Sequence, residues 1–172
     1  MRSSLNRRSA ETIVRVRWAV AATSSTDALD RAQPRRPAWT TGEANTALVT
    51  TTLIALIAGD VKTAFANLAD DITWLVPGNV VGVSGLKRGK VEILKFMTGT
   101  IGPAFPHGLQ AEVHRPDDEG NTVILELANR GATADGMQYE YECCFIVEID
   151  HGRIQRVREY VDTQKAKRIL LN

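Results

Sequence analysis

Apolar positions change their spacing partway along the chain. In three segments between about residues 44 and 100 they recur every three or four residues, the period of a helix face. From residue 109 to residue 161 they alternate with polar positions, the period of a strand. In "TTGEANTALVTTTLIALIAGD", Thr40 stands three residues before Glu43 in a capping-box pattern, and Val49, Leu53, Leu56 and Ile57 follow on one face. Gly59 is the stop signal and Asp60 the cap of a second, short helix, "VKTAFANLA", which presents Val61, Phe65 and Leu68. "DD" then turns the chain into a strand, "ITWLV", ended by Pro77 and Gly78. The loop "GNVVGVSG" lacks the spacing of a phosphate cradle. A third helix, "KVEILKFMTG", carries Val91, Leu94 and Met97 on one side, and "IGPAFPHG" reads as loop.

Four strand signals follow: Leu109–Arg115, Thr122–Arg130, Gln138–Ile149 and Arg153–Val161. "PDDEGN" and "DHG" read as hairpin turns, and "ADG" separates the middle pair. "TQKAKRILL" reads as a short helix or a tail. Three helices, one early strand and an antiparallel meander predict an α+β domain over residues 41–172. Its bent sheet would wrap around the helices as a cone-shaped roll and leave a cavity between the layers, a natural place for a small ligand.

Composition changes this picture at one end only. The 172 residues carry a formal net charge of +1. Residues 1–40, however, hold eight Arg and three acids, a net of +5. This segment reads as a disordered Arg/Ser-rich extension, with an organelle leader or an over-early start as alternatives. The remaining 132 residues are mildly acidic, which argues against a nucleic-acid groove. No apolar run reaches the roughly 18–20 residues of a membrane span. Cys143 and Cys144 are adjacent and point to opposite faces of a strand, so they form no disulfide framework, and a cytoplasmic, reducing compartment is the default. The histidines show no ligand spacing: His151 lies in a turn, His114 ends a strand, and His107 sits in a Pro/Gly loop where it could close over a cavity mouth. Neither a metal nor a cofactor is expected.

The candidate chemistry lies in "GRIQRVREYVDT". On a strand, Val157, Glu159 and Val161 share one face while Arg156, Arg158, Tyr160 and Asp162 share the other. The first face reads as core, yet a carboxylate stands in its middle. Glu159 either pairs with a cation such as Arg130, meets solvent at a bulge, or lies in an apolar pocket, where desolvation would raise its pKa and poise it for proton transfer. Trp74 and Tyr141 are candidate cavity walls, with the Tyr141 hydroxyl or Arg130 as orienting partner for Glu159. On the second long strand, Glu126 and Arg130 share a face with Ile124 and Ala128. Alternation favours the opposite face, Val123, Leu125, Leu127 and Asn129, as core.

Three phrases, "ALIAGDVKTAFANLADDITWLVPG", "GLKRGKVEILKFM" and "YEYECCFIVEIDHGRIQRVREYVDT", resemble the SnoaL-like polyketide cyclases, within the superfamily of nuclear transport factor 2-like folds. The likeness spans about residues 44–163. It implies the cone-like roll, a dimer through the outer sheet face, and a pocket lined by the inner face of the last strands, including Glu159. Known catalytic sets of the superfamily carry over unevenly. The positions of the ketosteroid isomerase base and hydrogen-bond donors fall at Val76, near Thr52, and near Cys144 or Phe145, so that mechanism lacks its groups, although Thr52, Val76 and Phe145 would still line the pocket. The last-strand Asp of limonene epoxide hydrolases is matched by Glu159. Their Arg-x-Asp pair should fall near Glu126 and Ala128, where this chain offers Glu126 and Arg130 instead, and the resemblance thus turns that face inward. It implies a cofactor-free enzyme acting on a small apolar molecule, or a binding or dimerisation module of the same fold.

Overall fold

The structure, a computed structural model, describes residues 12–14 and 41–170. Helix α1 (Thr41–Ala58) buries Val49, Leu53 and Leu56 as its spacing predicts. Thr40, the expected cap, lies outside the described residues. At its C-terminal end the Gly59 N–H meets the Leu56 carbonyl at 3.1 Å and the Asp60 N–H meets that of Ala55 at 2.8 Å. This paired closure requires a left-handed residue, and Gly59 has φ +72°. Asp60 then caps α2 (Val61–Asn67) by accepting from the Thr63 N–H at 3.1 Å.

Strand β2 (Leu68–Val76) starts earlier than the acidic pair suggests. Asp70 and Asp71 do not turn the chain. They stand outward in a strand whose register shifts between Leu68 and Thr73, bonded to Lys90 at 2.7 Å and Gln155 at 2.8 Å. A short strand, β3 (Gly85–Arg88), pairs antiparallel with β2 where only loop is expected. Helix α3 (Gly89–Phe96) buries Ile93 and Phe96, whereas Val91 is 65% exposed. The apolar residues of "VEILKFM" support two overlapping stripes, and packing selects the one with the larger side chains. The helix continues as a π-helical turn (Met97–Ile101) and a single turn, α4 (Gly102–Ala104), so part of "IGPAFPHG" is helical.

Strands β4 (Leu109–Glu119), β5 (Thr122–Ala132), β6 (Gln138–Asp150) and β7 (Arg153–Val161) form the meander. "PDDE" extends β4 rather than turning it. Pro116 is tolerated there because β1 (Thr12–Val14) covers β4 only opposite residues 111–113. Apart from β1, the expectation of disorder over residues 1–40 lies outside the described residues. The strand order is β1-β4-β5-β6-β7-β2-β3, with β2 and β7 parallel and every other pair antiparallel. The β6–β7 hairpin closes through His151 and Gly152, both with positive φ, as a two-residue turn of primed type requires. Helix α5 (Thr163–Leu170) follows, with Asp162 accepting from the N–H groups of Gln164 and Lys165. The sheet curves around the helices, and the main core lies between its concave face and α1, α2 and α3.

Candidate functional site

On β7 the inward face carries Val157, Glu159 and Val161. On β6 it carries Tyr139, Tyr141, Cys143, Phe145, Val147 and Ile149, so Cys144 points the other way. On β5 it carries Val123, Leu125, Leu127 and Asn129. Where these faces meet α1 and the α3–π-helix segment, a cavity remains. Its water-accessible space is about 50 Å³, room for a few waters or a small ligand. Leu56, Phe96, Met97 and Phe105 wall it on the helix side, and Trp74, Phe145 and Tyr141 on the sheet side.

Glu159 is the one carboxyl among the described residues that lines this cavity. It is opposite Phe145 in register, and the Trp74 indole N–H donates to its Oε2 at 2.9 Å. The Trp74 and Phe145 rings meet edge to face with centroids 6.0 Å apart, which fixes the indole that holds the carboxylate. Glu159 keeps partial accessibility on the cavity side, but protein surrounds it. Desolvation therefore raises its pKa from the ordinary 4.5, opposed by the Trp74 hydrogen bond and the positive charge of Lys87. Lys87 is opposite Trp74 on β3. Its ammonium donates to the Val83 carbonyl at 2.6 Å and sits 4.2 Å from the centre of the Phe96 ring, just behind the cavity wall. Burial lowers the Lys87 pKa.

The other end of the cavity is neutral. Asn129 and Tyr141 are opposite each other in register. Burial pushes the Tyr141 hydroxyl well above the ordinary 10.0. Tyr139 stacks on Phe105 and Tyr141, with burial pushing its hydroxyl to about 12. Gly131 lets β5 close on the cavity rim, since a Cβ there would stand 2.7 Å from Leu109 Cδ2 and 3.1 Å from the Gly108 carbonyl.

Of the residues singled out by sequence, Glu159, Tyr141, Trp74 and Phe145 converge on the cavity. Thr52 does not. It is fully buried between helices, donating to the Leu48 carbonyl at 2.7 Å and accepting from Asn67 at 3.0 Å. Val76 is plain core, and His107 is exposed away from the lining. Glu126 and Arg130 stand on the outer face. Arg130 ion-pairs there with Glu140 at 2.8 Å and Glu112 at 3.1 Å, so it neither orients nor neutralises Glu159. The inward positions nearest the expected Arg-x-Asp pair hold Leu127 and Asn129, an apolar and a neutral side chain. Asn129 and Lys87 escaped sequence reading. A polar residue closing the run Val123-Leu125-Leu127 was the signal for the first. The second left none, because β3 was not predicted. Among the described residues, no group of three or more His, Cys, Asp or Glu is arranged to hold a metal ion.

Comparisons with known proteins agree with this fold. The chain is 28% identical over 112 residues to the epoxide hydrolase EphG of Mycobacterium tuberculosis, a match covering 64% of this chain and 68% of that protein. Its fold is similar to that of an epoxide hydrolase of M. tuberculosis described as LEH-like (TM-score 0.59, 25% identity, 76% of this chain and 91% of that one). It is also similar to Bal32a from a soil-derived mobile gene cassette (TM-score 0.68, 21% identity, 76% and 99%). A third likeness is to TerC, solved with polyporic acid (TM-score 0.67, 14% identity, 75% and 99%). The family model for the SnoaL-like domain matches residues 49–157, and the chain belongs to that family.

Proposed function

We propose that this SnoaL-like domain is a cofactor-independent enzyme that moves a proton on a small, largely apolar molecule, with Glu159 as general acid/base. The observation that carries this reading is a single carboxyl, held by the Trp74 N–H in a cavity lined otherwise by apolar and aromatic side chains and by Asn129. Its raised pKa brings it nearer the operating pH, where a proton carrier is most effective. One carboxyl suffices for a reaction in which the same group takes a proton from one atom and returns it to another, as in isomerisation or cyclisation. Tyr141 supplies a hydroxyl that stays protonated and can donate to a developing oxyanion.

A test is exchange in D2O. Wild-type protein should speed deuterium incorporation next to the carbonyl of small cyclic ketones, and Glu159→Gln should slow it by about 100-fold or more. Equal rates in the two proteins would remove Glu159 from the role. No acceleration by the wild type across ketones, enones and epoxides would favour a binding module. The likeness to EphG supports a second reading, epoxide hydrolysis with Glu159 activating water. Leu127 and Asn129 on the inner face of β5 weigh against an Arg- and Asp-assisted version. Incorporation of 18O from labelled water into a diol product separates the two readings. A homodimer through the outer sheet face and a cytoplasmic location belong to the same proposal.

A further inference from the structure

We infer that Asn129 is a ligand-binding residue whose side-chain carbonyl accepts a hydrogen bond from a hydroxyl or neutral amine on the molecule that fills the cavity. This rests on the cavity being a small-molecule site, as proposed above, but not on any chemistry at Glu159.

Asn129 is 2% exposed and lines the cavity, yet its Oδ1 has no hydrogen-bond partner. A buried acceptor without a donor is rare, because the water it gave up is not replaced. In the structure the amide nitrogen faces Cys143 and the oxygen is the free atom. The Cys143 thiol has one proton, placed toward the Leu127 carbonyl at 3.7 Å. Its sulfur then accepts from the Asn129 NH2, at 3.3 Å. The amide is therefore anchored through nitrogen, and its oxygen is left over.

The Tyr141 hydroxyl opposite interacts with the Asn129 side chain, yet Oδ1 has no hydrogen-bond partner. Leu109, Phe105 and Ile101 wall this end of the cavity with carbon, and Glu159 is already engaged by Trp74. A hydrocarbon or an ether presented to Asn129 leaves its acceptor unpaired. An alcohol, a phenol or a neutral amine satisfies it. The two polar ends are also separated: Asn129 is opposite Tyr141 on β6, whereas Glu159 is opposite Phe145, four residues further along. The ligand's donor is thus anchored at one end while its reacting atoms meet Glu159 at the other.

The test uses phenol, anisole and toluene as probes, titrated calorimetrically into the full chain. Phenol should bind about tenfold more tightly than either isostere that lacks a donor. That ratio should fall to about one in Asn129→Leu and persist in Glu159→Gln. In wild-type protein, NMR should show the Asn129 side-chain amide signals moving with phenol and not with toluene, a readout that stands even if Asn129→Leu does not fold. Four results overturn the inference: equal affinity for the three probes, no binding of any of them, an Asn129 amide that phenol leaves unmoved, or a preference that survives Asn129→Leu. Loss of the preference in Glu159→Gln alone would place the acceptor at Glu159 and overturn it too. An intact phenol preference with no exchange activity would sink the enzyme reading and leave this one standing.

Discussion

Glu159 sits where alternation demands an apolar residue, and the structure shows what it has in exchange for water: one indole N–H at 2.9 Å and the more distant charge of Lys87. Its folded-state pKa lies above the ordinary 4.5, so the folded chain keeps a proton in a pH range where the unfolded chain has lost it. The contribution of this group to stability is therefore full below about pH 4.5 and is lost as pH rises through the folded-state value. Glu159→Gln retains an acceptor for Trp74 and removes the charge. It should raise the melting temperature at pH 7 by about 2–4 °C, and the advantage should vanish toward pH 4. A lower melting temperature at pH 7 would mean that Lys87 and Trp74 fully compensate the charge. The oddity of Glu159 was legible from its two valine neighbours. Its Trp74 partner was not, because the bond spans 85 residues.

Strand β5 shows how an element decides a site. A one-position change of facing moves every side chain to the other side of a sheet. Alternation favoured Val123, Leu125, Leu127 and Asn129 as the inner face, whereas resemblance favoured Glu126 and Arg130. The structure sides with alternation, because the concave face is covered by helices that accept only one charged group on β7 and none on β5. Helix boundaries were legible where a side chain or a glycine stops the helix. At the α1–α2 junction, Asp60→Ala removes the acceptor for the Thr63 N–H. This should destabilise the chain by about 1 kcal/mol and lower its melting temperature by about 2–4 °C in calorimetry, with Asp60→Asn restoring most of it. An unchanged melting temperature would show that the Gly59 closure holds the junction alone. The buried face of α3 was not legible, since Val91, Ile93, Leu94 and Phe96 satisfy two helical stripes, and only packing against the sheet and helices selects Ile93 and Phe96.

Among the described residues, the helices cover one face of the sheet and leave the other open. On that outer face Ile124 and Tyr160 are 42% and 45% exposed, beside the half-buried Cys144 and Ile146. A homodimer through this face should sediment at twice 18.9 kDa, and Ile124→Lys with Tyr160→Glu should halve that mass while leaving phenol binding intact. A wild-type protein that sediments as a monomer at high micromolar concentration would remove the dimer. The order of the longer helices and strands, the β6–β7 hairpin and the misplaced carboxylate at residue 159 were written in local spacing, because a period of 3.6 or 2 and the turn residues act over a few positions. Three things were decided by tertiary structure: the parallel pairing of β2 with β7, the meeting of Trp74 with Glu159, and the burial of Asn129 with a free carbonyl. Each depends on which faces come together when distant segments share one core, and no local period encodes that choice.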